Sequence, residues 1–218
     1  MSIAPADRAA FIRANTRLSA PPHCSEITLH LADDAVALWE LTEEQLGEIG
    51  LPPPFWAFAW AGGQALARYV LDNPDIVRGK NVLDVASGSG LLAIAAMKAG
   101  AASAAAIDLD PFAAEAALLN AAVNGVGIEA RAGNAFAAPP AEDVILVGDL
   151  FYDRDIAPVL LAWLQAARGA VLIGDPGRTY LPKDKLVRLA EYAVPVSRAL
   201  EDSEIKRTGV WRLAREAA

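Results

Sequence analysis

The sequence predicts an α/β domain: a doubly wound, mostly parallel sheet, covered by helices on both faces and closed at one edge by an antiparallel hairpin. Three observations carry that prediction. From Lys80 onward, short aliphatic runs alternate with helical stretches, the rhythm of strand–helix–strand units. Of the 218 residues 54% are hydrophobic but only 7% aromatic, so the core is built from small aliphatic side chains, as doubly covered strands require. The tail then abandons the alternation for two strand-like runs joined by the acidic segment 201–204.

Residues 1–18 carry Asp7, Arg8, Arg13 and Arg17 with no unbroken apolar run, so they read as an amphipathic helix turning Phe11, Ile12 and Leu18 inward rather than as a secretory signal. Asp7 also argues against a mitochondrial presequence. Residues 26–31 set Ile27, Leu29 and Leu31 against polar neighbours, a half-buried strand. Thr42-Glu43-Glu44-Gln45 is a capping box opening a short helix that stops at Gly47 or Gly50. Three prolines, Pro52 to Pro54, stiffen the connection to the cluster Phe55-Trp56-Ala57-Phe58-Ala59-Trp60. Gly62-Gly63 then leads into a helix with Leu66, Tyr69, Val70 and Leu71 on its apolar side. Strands follow at 81–85, 104–108, 127–130, 143–148 and 170–174, with helices at 90–98, 111–124 and 156–167. A helix near 183–191 precedes the hairpin strands 194–200 and 205–213. The organisation expected is an N-terminal cap over 1–60 and a main domain over 61–218, with no internal repeat.

Charge and cysteine usage exclude several classes. Nineteen Lys and Arg against 27 Asp and Glu give a net charge of −8, which repels phosphate backbones and disfavours nucleic acid as a partner, while favouring cations. A single cysteine, Cys24, permits no internal disulfide and no cysteine zinc site. That fits a reducing compartment: the cytoplasm, or the mitochondrial matrix in a eukaryote. The longest apolar stretch, 91–107, is broken by Lys98 and Gly100 and falls short of the ~20 residues a membrane span needs. His23 and His30 stand at no metal-ligand spacing, and no Ser-His-Asp set supports hydrolysis.

In an open parallel sheet, ligands sit beyond the carboxyl ends of the strands. There the chain places Asp84-Val85-Ala86-Ser87-Gly88-Ser89-Gly90, whose glycines let backbone approach a ligand while the next helix presents free N–H groups. Gly88-x-Gly90-x-x-Ala93 also satisfies a dinucleotide fingerprint, but a dinucleotide strand runs straight into its first glycine, and here Asp84 stands four residues earlier. A carboxylate at that point either reaches the amino-acid part of S-adenosylmethionine or braces the loop. Asp108, 24 residues beyond Asp84, is placed to accept both ribose hydroxyls, and Asp110 reads as a helix N-cap before Pro111. Asn134 follows the third strand, where it serves an adenine edge or an ordinary turn. Asp175-Pro176-Gly177-Arg178 beyond the fifth strand is either a substrate-side lip, with Arg178 meeting acidic surface or bracing the loop, or a tight turn.

Segment 81–111 resembles motif I and the ribose acid of the class I, Rossmann-like seven-β-strand methyltransferases that use S-adenosylmethionine. Ala86 takes the first glycine position of their D-x-G-x-G-x-G pattern. Beyond the fourth strand, Gly148-Asp149-Leu150-Phe151-Tyr152-Asp153 resembles the Asp-x-Phe-Tyr-Asp signature of the electron-transfer-flavoprotein β-subunit lysine methyltransferases, a branch of methyltransferase family 16. The likeness extends to Ile12 through Thr16, Leu51 to Trp60, Gly62 through Tyr69, Asp72-Asn73-Pro74, Ile173 through Arg178 and Val210-Trp211. It implies a seven-stranded sheet, S-adenosylmethionine as cofactor, and methyl transfer to lysine side chains of the flavoprotein β-subunit. It implies that Trp56 and Trp60 line the cofactor pocket, beside the positions read above for Asp84, Gly88, Gly90, Asp108 and Asn134. Asp149 then stands beside the incoming lysine, with Tyr152 and Phe151 walling the channel. The alternatives are a related methyltransferase acting on a ribosomal protein or a small amine, and a nucleotide-binding module without transfer.

Overall fold

Four apolar runs at the centre of the chain dictate the architecture. The computed structural model describes residues 5–32, 53–196 and 204–214, and in it these runs form the middle of a seven-stranded sheet. The helices are α1 (Pro5–Asn15), α2 (Ala61–Asp72), α3 (Leu91–Lys98), α4 (Pro111–Val123) and α5 (Ile156–Gln165). The strands are β1 (Arg17–Ser19), β2 (Leu29–Leu31), β3 (Asn81–Val85), β4 (Ser103–Asp108), β5 (Glu129–Ala132), β6 (Val144–Gly148), β7 (Ala170–Asp175), β8 (Leu186–Pro195) and β9 (Ile205–Leu213). The sheet order is β5-β4-β3-β6-β7-β9-β8, with the first five parallel and β9 antiparallel to both β7 and β8. Strand order reverses at β3, which pairs with both β4 and β6. That switch point is where a ligand crevice opens.

The period of two along each strand sends alternate side chains to opposite faces. Val82, Val144, Leu146 and Leu172 pack beneath α2, α3 and α4. Leu83, Val85, Ile145, Val147 and Ile173 pack beneath α5. Because both faces are covered, the strands read as nearly unbroken apolar runs. Asp110 caps α4 by accepting the Phe112 N–H, with Pro111 at the first helical position, and Asp153 Oδ1 accepts the N–H groups of Asp155 and Ile156 ahead of α5.

The N-terminal segment docks on α4. Ile12 is fully buried and the Phe11 and Phe112 rings meet edge-on at 5.5 Å. Asn120 on α4 and Asn124 at its C-terminal cap hold the β2 segment by accepting the N–H groups of His30 and Thr28. Five expectations are corrected. Leu18 is 51% exposed, because α1 ends at Asn15 and Leu18 lies on the short β1–β2 ribbon instead of an apolar helix face. The stretch 183–191 is not a helix: a single turn over Lys183–Lys185 leads directly into β8. The hairpin's first strand is therefore Leu186–Pro195, and its pairing with β9 outweighs the helical spacing of Leu186, Leu189 and Ala190. Strand β5 begins at Glu129, two residues later than the sequence suggests, and β2 is confined to Leu29–Leu31. The expected helix after Thr42, and residues 197–203 of the expected hairpin strand and turn, lie outside the described residues.

Candidate functional site

The loop after β3 builds the first wall. Ala86 and Gly88 both take left-handed backbone, at φ 51°, and Gly90 caps α3 at φ 76°. Gly90 is doubly constrained, because a Cβ there would sit 2.7 Å from the Ala117 Cβ. The Ser87 N–H donates to the Ile107 carbonyl and Gly90 N–H to the Ser87 carbonyl, so the loop is fixed at both ends. Asn120, fully buried on α4, donates from Nδ2 to the Ser89 carbonyl while accepting the His30 N–H. It ties the loop to the N-terminal segment. Its signal in the sequence is a lone amide on an alanine-rich helix face.

The acids predicted around this loop come together at the carboxyl ends of β3 and β4. Asp84 is 1% exposed and its Oδ2 accepts the Ala93 N–H at 3.0 Å, bracing the first turn of α3. Burial lifts its carboxyl well above the usual range, the Ala93 N–H opposes this, and the charge of Asp108 adds to it. Asp108 accepts N–H groups from Gly88 at 2.9 Å and Asp110 at 3.0 Å, and burial lifts its carboxyl too. Leu109, between the two acids, is 71% exposed. Asn134 is exposed and accepts the Phe136 N–H at the start of a single helical turn.

Aromatic residues 55–60 cross in front of this loop. A Cβ on Gly88 would lie 3.7 Å from the Trp56 Cα and 3.8 Å from the Phe55 carbonyl. Trp56 points away from the opening: it is buried and stacks on Phe112 at 6.1 Å. Trp60 is half-buried, donates from Nε1 to the Phe55 carbonyl, and meets the Phe55 ring at 5.9 Å. Phe55 also faces Tyr152 at 6.4 Å, so it links the loop wall to the β6 wall. Tyr152 is 49% exposed, whereas Phe151 is fully buried against α5 and belongs to the core instead of the channel.

The end of β6 carries the most constrained acid. Asp149 takes left-handed backbone at φ 55° and its N–H donates to the Gly174 carbonyl. Its Oδ2 accepts the Gly62 N–H from the first turn of α2, and its Oδ1 accepts Arg178 Nε at 3.0 Å and Nη2 at 2.7 Å. Burial pushes the Asp149 carboxyl up to about 6 against the pull of Arg178, with the charge of Asp175 raising it further. Asp175, at the end of β7, is 1% exposed and its Oδ1 accepts the N–H groups of Gly177 and Arg178 at 2.7 Å each. Arg178 is thus the residue that sequence reasoning left outside the site. Its signal is topological: β6 and β7 pair Gly148 with Gly174, so Asp149 and Asp175 end adjacent strands at the same level. A separate groove of about 970 Å³, lined by Lys80, Asp143, Arg168 and Arg212, opens at the amino ends of the strands and contains none of these residues.

The arrangement is a crevice with an acidic, glycine-shaped loop on one side and a second acid held by an arginine on the other. The family of ribosomal protein L11 methyltransferase (PrmA) matches residues 64–147. The chain is 38% identical to the electron transfer flavoprotein beta subunit lysine methyltransferases of Rattus norvegicus and Homo sapiens, covering 93% of its own length in each case and 82% and 80% of theirs. It is 32% identical to the Caenorhabditis elegans homolog, over 83% of this chain and 85% of that one. Among solved structures, the ribosomal protein L11 methylase of Lactobacillus delbrueckii subsp. bulgaricus aligns with TM-score 0.54 and 22% identity over 73% of this chain and 81% of that one. A chain solved in complex with SAH aligns with TM-score 0.56 and 14% identity over 91% of this chain and 56% of that one.

Proposed function

The chain belongs to the family of electron transfer flavoprotein β-subunit lysine methyltransferases; it is a methyltransferase, and we propose that it moves methyl groups from S-adenosylmethionine to lysine side chains of an electron-transfer-flavoprotein β-subunit. The observation that carries this reading is Asp149: a buried carboxylate at the end of β6, held across the crevice from the glycine loop, within a chain that matches those relatives along most of its length. The PrmA match ends at Val147, just before Asp149, so it covers the loop side of the crevice and carries no argument about the substrate.

The residues around the loop fit the cofactor. Among the described residues the buried Ser87 Oγ has no hydrogen-bond partner, which suits a polar group of the cofactor. Gly88 leaves the approach to the loop free of a side chain, and α3 begins immediately behind it. When bound, S-adenosylmethionine supplies an electrophilic methyl group on a sulfonium. In this reading Asp108 receives the ribose hydroxyls, Leu109 offers an apolar face to the adenine, and Asn134 lies at its edge. Asp84 acts on the amino-acid part through the loop it braces, with Gly88 and Gly90 shaping the approach. Trp60 lines the opening, and Trp56 supports it from below through its stack on Phe112.

A lysine amine attacks only when neutral, and its ordinary pKa is about 10.4. Asp149 attracts the ammonium into the crevice, and after a proton has left to solvent it orients the neutral amine. Tyr152 flanks that path with its exposed ring. The net charge of −8 favours the approach of a cationic side chain. The test uses purified flavoprotein, ribosomal protein and small amines, each offered with methyl-labelled cofactor. Label on the flavoprotein β-subunit with wild-type enzyme, and a loss of about 10²-fold or more in turnover for Asp149→Asn with cofactor affinity retained, support the reading. Label confined to the other acceptors overturns the substrate, and full turnover by Asp149→Asn removes that residue from its role.

A further inference from the structure

The carboxylate of Asp149 is spoken for before any substrate arrives. One oxygen, Oδ1, receives two N–H groups of Arg178, and the other, Oδ2, receives the Gly62 N–H. A carboxylate oxygen accepts two hydrogen bonds, so Oδ1 is saturated and Oδ2 keeps one lone pair. The guanidinium that saturates Oδ1 is itself placed by Asp175, whose Oδ1 accepts the N–H groups of Gly177 and Arg178 and so shapes the turn that carries it. Gly177 completes that turn at φ 93°. We propose that Arg178 is a positioning residue for the transfer: by gripping Oδ1 of Asp149 through Nε and Nη2, it leaves a single oriented lone pair on Oδ2 to receive the substrate lysine. This rests on the reading of Asp149 given above.

The arrangement resolves a conflict in the chemistry. A bare carboxylate beside a lysine stabilises the ammonium, which carries no lone pair for attack. An ion pair presents a weaker field to the same amine, so the amine loses its proton to solvent more readily while still donating an N–H to Oδ2. That donated bond points the nitrogen lone pair away from Asp149. Arg178 also keeps Asp149 ionised in a buried place, where an un-ionised carboxyl would offer a proton donor instead of an acceptor. The groups facing Asp149 are Arg178 and Asp175 from the β7 side and the Gly62 N–H from α2, and Arg178 is the cation among them.

The experiment compares wild type, Arg178→Gln, Arg178→Lys and Asp149→Asn. Turnover is followed against pH on the flavoprotein substrate, and the Asp149 carboxyl is titrated by ¹³C NMR in the ligand-free protein, its signal assigned by its loss in Asp149→Asn. With Arg178→Gln, turnover falls about 10-fold or more with the KM for cofactor unchanged, and the acidic limb moves up by about 1–3 pH units. The NMR midpoint moves the same way without any ligand present. Arg178→Lys recovers part of both, because a lysine restores the charge without the fork. An NMR midpoint unmoved in Arg178→Gln, or an unmoved acidic limb with wild-type turnover, overturns the inference. If Asp149→Asn is inactive while Arg178→Gln behaves as wild type, the role of Asp149 stands and that of Arg178 falls. An active Asp149→Asn fells both.

Discussion

Two adjacent glycines on α2 provide a sharp test of how the crevice is built, because alanine at each should act with opposite sign. A Cβ on Gly62 would collide with the Gly174 carbonyl oxygen and with Asp149 Oδ2, one of them backbone and the other the far end of a side chain pinned by Arg178. Neither neighbour yields cheaply, so α2 must lift off the ends of β6 and β7. The cost combines overpacking, about 1–3 kcal/mol, with loss of the N–H bond to a buried carboxylate, about 1.5–3 kcal/mol. Among the described residues, a Cβ on Gly63 meets only the Leu91 Cδ2, at the ordinary contact distance of 3.8 Å. There alanine relieves the helix of glycine's entropy and gains about 0.5–1 kcal/mol. Gly62→Ala and Gly63→Ala should therefore differ by about 4 kcal/mol, or roughly 2 M in urea midpoint at an m of about 2 kcal/mol/M. Urea denaturation followed by circular dichroism at neutral pH measures this. Equal midpoints, or a Gly63→Ala protein less stable than Gly62→Ala, would refute the packing argument.

Two further predictions follow from backbone and burial. Ala86→Gly should stabilise by about 0.5–1 kcal/mol, since release of the left-handed strain at φ 51° exceeds the extra freedom glycine gives the unfolded chain; a lower urea midpoint for the variant would count against that strain. Asp149 and Asp110 both titrate near 6 in the fold, above their ordinary 3.8, so the folded state binds the proton more tightly and each contribution is full below about pH 4 and lost as pH rises through about 6, by up to about 3 kcal/mol per group. His23 and His30, lowered by burial, act in the opposite sense below pH 6.5, so the clean measurement is the stability difference between Asp149→Asn and wild type. That difference should move by about 2.5 kcal/mol in favour of the variant between pH 4 and 7, and parallel curves would exclude a raised Asp149.

The parts of the fold legible in the sequence are those decided locally. The strands beneath α2 to α5 are aliphatic because both faces are covered, and α4 announces itself through Asp110 and Pro111. The acids Asp84, Asp108 and Asp149 were readable because each ends a strand next to a loop. What escaped was decided at a distance. Residues 186–194 satisfy a helical spacing as well as a strand, and the bulge between Arg188 and Ala190 breaks the alternation that would have identified β8. Gly62 and Gly63 look like punctuation before a helix, yet both lie inside α2, and the first is required by the approach of that helix to Asp149 and Gly174. Arg178 reaches its partner across 29 residues of chain, so nothing local to its turn identifies the grip on Asp149.

The acidic crevice also answers a question of cost. Helix capping explains Asp110 and Asp153, which lie at helix starts and accept backbone N–H groups there. Capping does not explain why Asp84 and Asp175 are sealed to 1% exposure, or why Asp175 Oδ2 is buried with no partner among the described residues. Burial lifts Asp84, Asp108, Asp149 and Asp175 together, which is the signature of carboxylates short of cations. Arg178 relieves that shortage on the β6–β7 side alone, and the loop side has no comparable basic side chain among the described contacts of Asp84 and Asp108. A fold selected only for stability would replace such groups with apolar ones of similar size. Their retention is intelligible if the crevice is completed by cations that come and go: a sulfonium against the loop and a lysine against Asp149. In that light the asymmetry has a purpose. On the proposed function the loop side meets a cofactor that arrives as a cation and needs no arginine, whereas the lysine side must hold its guest as a neutral amine, and there Arg178 already moderates the field.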